Sequence, residues 1–251
     1  MTRISAAPQP VPAAGRAELG ESPVWDPRLA RLYWVDIPAG HLHWLDDRAT
    51  ERGTLTLPGP VGFVGLTDDP ATVVVGCATR LLAVQLPFGC SELLAELAPA
   101  DSGLRCNDGK CDPTGCLWAG TMPSNDGQPP GALFSLDPAR RLRRRLDDLG
   151  CSNGLAWHAE KREFYFIDSL TRRVDRRRWD PATGDISDAQ PLVTFPPSDG
   201  LPDGMCIDVE GHLWVAFWGG GGVRRSDSCT GAVLARMDCP VSRVTCCSFD
   251  G

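Results

Sequence analysis

Four oxygen-bearing side chains recur at one position of a repeating pattern, and together they make the donor set of a hard-cation site. Aligning the turn after each short apolar run gives Asp26, Asp68, Asp112, His158, Asp208 and Asp250, with steps of 42, 44, 46, 50 and 42 residues. Five positions upstream stand Glu21, Phe63, Asn107, Asn153, Asp203 and Thr245. A repeat this even implies one structural unit reused around an axis, so that equivalent positions face the same place. Glu21, Asn107, Asn153 and Asp203 are therefore expected to converge. Taken singly, Glu21 reads as a solvated carboxylate, and Asn153-Gly154 and Asp203-Gly204 read as turns. Their shared register is what points to a site. Carboxylate and amide oxygens without His or Cys suit Ca²⁺, Mg²⁺ or Mn²⁺. Ca²⁺ is the expectation on ligand type, with Zn²⁺ less suited.

The third copy adds a cation of its own. Arg105 lies two residues before Asn107, and strand side chains alternate with period two, so both project to one side. A guanidinium beside a metal site calls for an oxygen-rich ligand between them. A substrate carrying hydroxyls and a carbonyl that becomes negative during reaction meets that need. Asp108 points the other way and reads as a turn or supporting residue.

The elements that must carry these residues are strands. Leu32–Val35, Val73–Val75, Leu117–Ala119, Phe164–Ile167 and Leu213–Ala216 are short aromatic or β-branched runs bounded by turn formers. Asp26-Pro27, Asp112-Pro113-Thr114-Gly115 and Asp208-Val209-Glu210-Gly211 are hairpin connectors. Further strands end at Asp137-Pro138 and Asp180-Pro181, and the best helical candidate is the short Cys90-to-Leu97 segment. A period near 45 with about four strands per unit predicts an all-β, six-bladed β-propeller spanning residues 1–251 as one domain. A two-sheet sandwich does not produce so even a spacing. The sixth register, Val244 to Gly251, is only begun, so the sixth blade is expected to be incomplete and truncated after residue 251. Residues 1–18 are expected to form an N-terminal arm, with an outer closing strand around Val11 to Leu19.

Composition narrows the function classes. The formal net charge of −7 argues against nucleic acid and anionic membrane as partners. Arginine outnumbers lysine 23 to 2, which reads as codon bias. The runs Arg140–Arg145 and Arg172–Arg178 fit exposed strand faces with Asp147 and Asp175 nearby. No stretch reaches the roughly 20 apolar residues of a membrane span, and MTRISAAPQPVPAAG lacks a signal-peptide core, so a cytoplasmic protein is expected. Eleven cysteines then imply free thiols. Cys106, Cys111 and Cys116 read as small hydrophobes, since no Cys-x-x-Cys pair exists. Gly219–Gly222 is a flexible turn, because no Gly-Lys-Ser/Thr follows it. None of the four histidines, placed at turn or outer positions, accompanies a Gly-x-Ser-x-Gly motif, which excludes a familiar serine hydrolase.

Several segments together resemble the regucalcin/gluconolactonase family, also known as the senescence-marker-protein family. They are Gly20-Glu21-Ser22-Pro23-Val24-Trp25, Arg105-Cys106-Asn107-Asp108-Gly109-Lys110 with Ala119-Gly120-Thr121-Met122, Ser152-Asn153-Gly154-Leu155-Ala156-Trp157, and Pro202-Asp203-Gly204-Met205 with Leu213-Trp214-Val215-Ala216. The likeness runs from about Leu19 to Gly251 in order and spacing. It implies a six-bladed propeller with one divalent cation, Glu21, Asn153 and Asp203 as metal ligands, and Arg105 and Asn107 as contacts to a sugar lactone. It also implies hydrolysis of an aldonolactone, such as gluconolactone or a pentonolactone, to the aldonic acid. Asp203 would double as general base. Some members place an acidic substrate contact shortly after Gly-Thr-Met, where this chain has Ser124 and Asn125, so its sugar preference is expected to differ.

Two other functions fit the same residues. One is a phosphotriesterase-like, metal-dependent esterase, against which Arg105 beside Asn107 favours a polyhydroxylated substrate. The other is a non-catalytic cation-binding regulatory protein or an inactive fragment. The expected partner is a small-molecule lactone, and the oligomeric state is open, with a monomer as the default.

Overall fold

Each of the five aromatic or β-branched runs becomes the second strand of a four-stranded antiparallel meander. In this computed structural model, which describes residues 2–4, 8–125 and 129–250, β1 (Thr2–Arg3) precedes a first sheet of β2 (Gly20–Asp26), β3 (Arg31–Asp36), β4 (His41–Asp46) and β5 (Arg52–Thr56). The second sheet is β6 (Val61–Leu66), β7 (Thr72–Cys77), β8 (Arg80–Gln85) and β9 (Cys90–Glu96). The third is β10 (Leu104–Cys111), β11 (Leu117–Pro123), β12 (Gly131–Leu136) and β13 (Leu142–Leu149). The fourth is β14 (Ser152–His158), β15 (Glu163–Asp168), β16 (Arg173–Arg178) and β17 (Gln190–Thr194). The fifth is β18 (Leu201–Ile207), β19 (Leu213–Trp218), β20 (Gly222–Ser226) and β21 (Val233–Asp238), with β1 added in parallel to β21. The residues fall into two compact units. Val11–Cys111 with Gly115–Ser152 carries the first three sheets, and Asn153–Cys247 carries the last two apart from Ser152 and β1.

The fourth strand is the least buried of each meander. The first strands β6, β14 and β18 are buried nearly throughout, whereas β9 and β13 are mostly exposed. A strand covered on both faces must be apolar or small, and an edge strand must be polar enough to resist pairing with another chain. Tyr33, Val35, Leu42, Val61, Val64, Val73 and Val75 pack into one core where the first two sheets meet. Ala156, Tyr165, Ile167, Val174, Met205, Leu213, Val215 and Phe217 form the corresponding core of the last two.

The architecture is the expected all-β propeller type, but the described residues form five blades and not six. Among the described residues the segment from Val244 onward holds no strand of a sixth sheet. A blade needs four strands, and this segment follows β18 instead, with Gly204 donating its N–H to the Thr245 carbonyl (2.7 Å). Cys90–Glu96 is a strand paired with β8, not a helix. Around Val11 the chain makes a short 3₁₀ turn, Pro12–Ala14, and the added outer strand is Thr2–Arg3. His43 also departs from expectation: it is buried in β4, stacked on Trp34 and bonded to Thr54 (2.8 Å). Leu142–Leu149 is the expected, mostly exposed face, with Arg144 paired to Asp147, whereas Arg173–Arg178 is largely half-buried, with Asp175 buried and paired to Arg173. No helix among the described residues is long and apolar enough to cross a membrane.

Candidate cation and lactone site

The recurring polar position coincides with a local fault in the first strand. Ladder pairing skips two residues between Glu21 and Val24 in β2, between Cys106 and Gly109 in β10, and between Pro202 and Met205 in β18. A bulge bends the strand and re-aims a side chain that would otherwise alternate. Asn107 and Asp203 lie inside such faults, and Glu21 is the last paired residue before one.

In the first unit, Glu21 is half-buried and its Oε2 accepts the Ser22 N–H (3.1 Å). Ser22 holds the bulge with φ +52°, its Oγ accepting from Val64 N (3.1 Å) and donating to Val64 O (3.3 Å). Arg105 and Asn107 come together as the alternation predicts. Nη1 of Arg105 donates to Asn107 Oδ1 (2.7 Å) and to the Cys106 carbonyl (3.0 Å). Asn107 is 7% exposed and its Nδ2 donates to the Ser152 carbonyl (2.9 Å), so both ends of the amide are held. Asp108 is also buried, accepting the Gly109 N–H (2.7 Å), and burial raises its carboxyl pKa against the smaller pull of Lys110.

In the second unit, Asn153 and Asp203 are 5% and 6% exposed. Their strands approach so closely at Gly154 that a methyl group there would lie 2.7 Å from the Asp203 carbonyl oxygen. Asn153 Nδ2 donates to Ser169 Oγ (2.9 Å), and Ser169 Oγ donates to the Pro202 carbonyl (2.6 Å). Ser169 escaped the sequence reading because it opens the 3₁₀ turn Ser169–Thr171 after the second strand of its blade, off the recurring register.

A divalent cation fits the chemistry of this pair. A buried carboxylate needs compensating charge, and carboxylate and carboxamide oxygens are the donors that hard cations accept. With Nδ2 committed to Ser169, Oδ1 is the Asn153 atom able to ligate. No three His, Cys, Asp or Glu side chains gather into a metal-holding group among the described residues, as befits a donor set that includes an amide. Thiolate ligation by Cys106 or Cys116 is disfavoured. Cys106 and Cys116 donate to backbone carbonyls, and burial pushes the Cys106 thiol up to about 12. A groove of about 300 Å³ lined by His158, Glu160, Asp208 and Glu210 is a weaker candidate, because Arg225 pairs with both Asp208 and Glu210.

Comparison with known proteins gives the family. The SMP-30/Gluconolactonase/LRE-like region matches residues 19–251. A Bacillus subtilis (strain 168) protein named "Putative sugar lactone lactonase YvrE" is 35% identical over 94% of this chain and 80% of its own length. The solved structure of a luciferin-regenerating enzyme superposes with a TM-score of 0.90 at 30% identity, covering 96% of this chain and 83% of that one. Regucalcin from Agrobacterium tumefaciens, described as a calcium-binding protein, gives 0.84 at 28% identity over 92% and 77%. The chain belongs to the SMP-30/gluconolactonase/LRE-like family.

Proposed function

We propose that this protein hydrolyses a sugar lactone to the corresponding aldonic acid with the help of one divalent cation, Ca²⁺ on ligand type. The observation that carries the reading is the buried Asn153–Asp203 pair, oriented by Ser169 and set beside a strand fault. Glu21, Asn153 and Asp203 hold the cation, Glu21 entering on register and family resemblance alone. When bound, a divalent cation polarises a carbonyl and acidifies water. Asp203 takes the proton from the attacking water and returns it to the ring oxygen as the acyl–oxygen bond breaks. A positioned general base of this kind is worth about 10²–10⁴-fold in rate. Arg105 offers a planar donor fork, and Asn107, clamped at both ends of its amide, holds that fork in one orientation. Fixed donors aimed at ring hydroxyls and at developing negative charge stabilise the transition state more than the ground state.

The test is acid release from gluconolactone, a pentonolactone and paraoxon, each with and without chelator. Release from the lactones that chelator abolishes supports the proposal. Turnover of paraoxon alone would assign a phosphotriesterase. Cation uptake with no turnover of any substrate would leave a binding protein.

A further inference from the structure

We propose that Ser169 is a positioning residue: its hydroxyl sets the orientation of Asn153 and ties the two ligand-bearing strands together for cation binding. The inference rests on the reading of Asn153 and Asp203 as cation ligands. Ser169 is 3% exposed and its Oγ has a single hydrogen. A carbonyl can only accept, so that hydrogen goes to Pro202 O at 2.6 Å. Toward Asn153, 2.9 Å away, the hydroxyl then has only lone pairs to offer. The amide must present Nδ2 to Ser169, which turns Oδ1 to the other side. The hydrogen-bond pattern alone thus fixes which end of the amide faces Ser169.

The same hydroxyl acts on the second ligand through the chain. Pro202 is joined directly to Asp203, so anchoring its carbonyl fixes the peptide plane from which Asp203 departs. One side chain thus couples β14 to β18 at the point where both carry a ligand. The turn that bears Ser169 is held by other bonds. Leu170 N donates to Asp168 Oδ1 (3.2 Å), Thr171 Oγ1 donates to Asp168 O (2.7 Å), and Arg172 Nη1 donates to Gly200 O (2.8 Å). Removing the hydroxyl should therefore leave the turn in place and release only Asn153 and Pro202.

Calorimetric titration of metal-free protein with Ca²⁺ reads this directly, alongside thermal unfolding of the same samples. Ser169→Ala is expected to weaken Ca²⁺ binding by about 10- to 100-fold, the usual loss when a ligand's orienting partner is removed. Ser169→Thr, which keeps a hydroxyl, is expected to recover most of it. In an Asn153→Ala background the Ser169→Ala change should cost less than it does alone, because only the part passed through Pro202 to Asp203 remains; a general structural defect would add in full. Should Ser169→Ala not fold, Ser169→Cys replaces it, with weakened binding again expected. Wild-type affinity in the Ser169 variant, with binding lost in Asp203→Ala, would overturn the inference and leave the cation site standing. Wild-type affinity in both Asn153→Ala and Asp203→Ala would overturn the site itself.

Discussion

Placing one methyl group on Gly154 tests whether the contact between β14 and β18 sets the candidate site. A Cβ there would lie 2.7 Å from the Asp203 carbonyl oxygen and 2.8 Å from both Ile167 Cδ1 and Met205 Cβ. Ordinary contact begins near 3.4 Å, so each neighbour must retreat by roughly 0.6 Å. Overpacking of this kind costs about 1–3 kcal/mol. For a chain of this size that corresponds to a melting temperature lowered by about 2–12 °C. The retreat also moves the backbone of Asp203 away from Asn153. Ligand distances tolerate only about ±0.2 Å, so Ca²⁺ affinity should fall at least tenfold. Circular dichroism melts of metal-free protein and calorimetric Ca²⁺ titration measure the two effects. Gly115→Ala is the control: its φ of +81° makes alanine strained, yet nothing lies within 4 Å of the new methyl. It should lower stability without touching Ca²⁺ affinity. A Gly154→Ala protein with unchanged stability and unchanged affinity would refute the packing argument.

Other perturbations separate the roles further. Arg105→Lys removes the fork that reaches Asn107 Oδ1, and steady-state kinetics should show kcat/KM for lactone down by about 10- to 100-fold with Ca²⁺ affinity intact. Burial raises the Asp108 carboxyl, so its favourable contribution is complete below the ordinary carboxylate pKa and is lost as pH rises through the raised folded value. Asp108→Asn should therefore melt higher than wild type at pH 7, with the gap closing toward pH ~4, as melting curves across that range will show. Asp26 has the opposite sign. The Arg28 guanidinium, opposed by burial, holds its carboxyl below the usual range, and the stability so gained is present above the ordinary pKa and lost as pH falls through the lowered one. Arg28→Met should cost about 1–2 kcal/mol at pH 7 in denaturant titrations, allowing for the solvent screening of Arg28, and less once Asp26 is protonated, when only its bonds to the Thr67 and Asp68 carbonyls are lost.

Much of this layout is written in the chain, and what is not has physical causes. The first and second strands of each blade are legible because a short apolar segment, a turn and an aromatic or β-branched run recur together. The blade count is not, since Val244–Asp250 repeats the opening of the register without the strands that complete a sheet. Cys90–Glu96 imitates a helix because an edge strand must be polar, and Ser-Glu-Leu-Leu-Ala-Glu has helix-forming composition. Pairing of Arg105 with Asn107 follows from alternation and is read correctly. The anchoring of Asn107 on Ser152, and the part played by Ser169, come from chain segments 45 and 16 residues away. The first distance equals the blade period but does not by itself mark a contact, and the second matches no period.

The most direct measurement is acid release from gluconolactone by chelator-stripped protein during stepwise addition of Ca²⁺. Activity should rise in proportion to added ion, level off at one per chain, and never appear in Asp203→Ala. Full hydrolysis by the stripped protein, or by Asp203→Ala, would contradict the account.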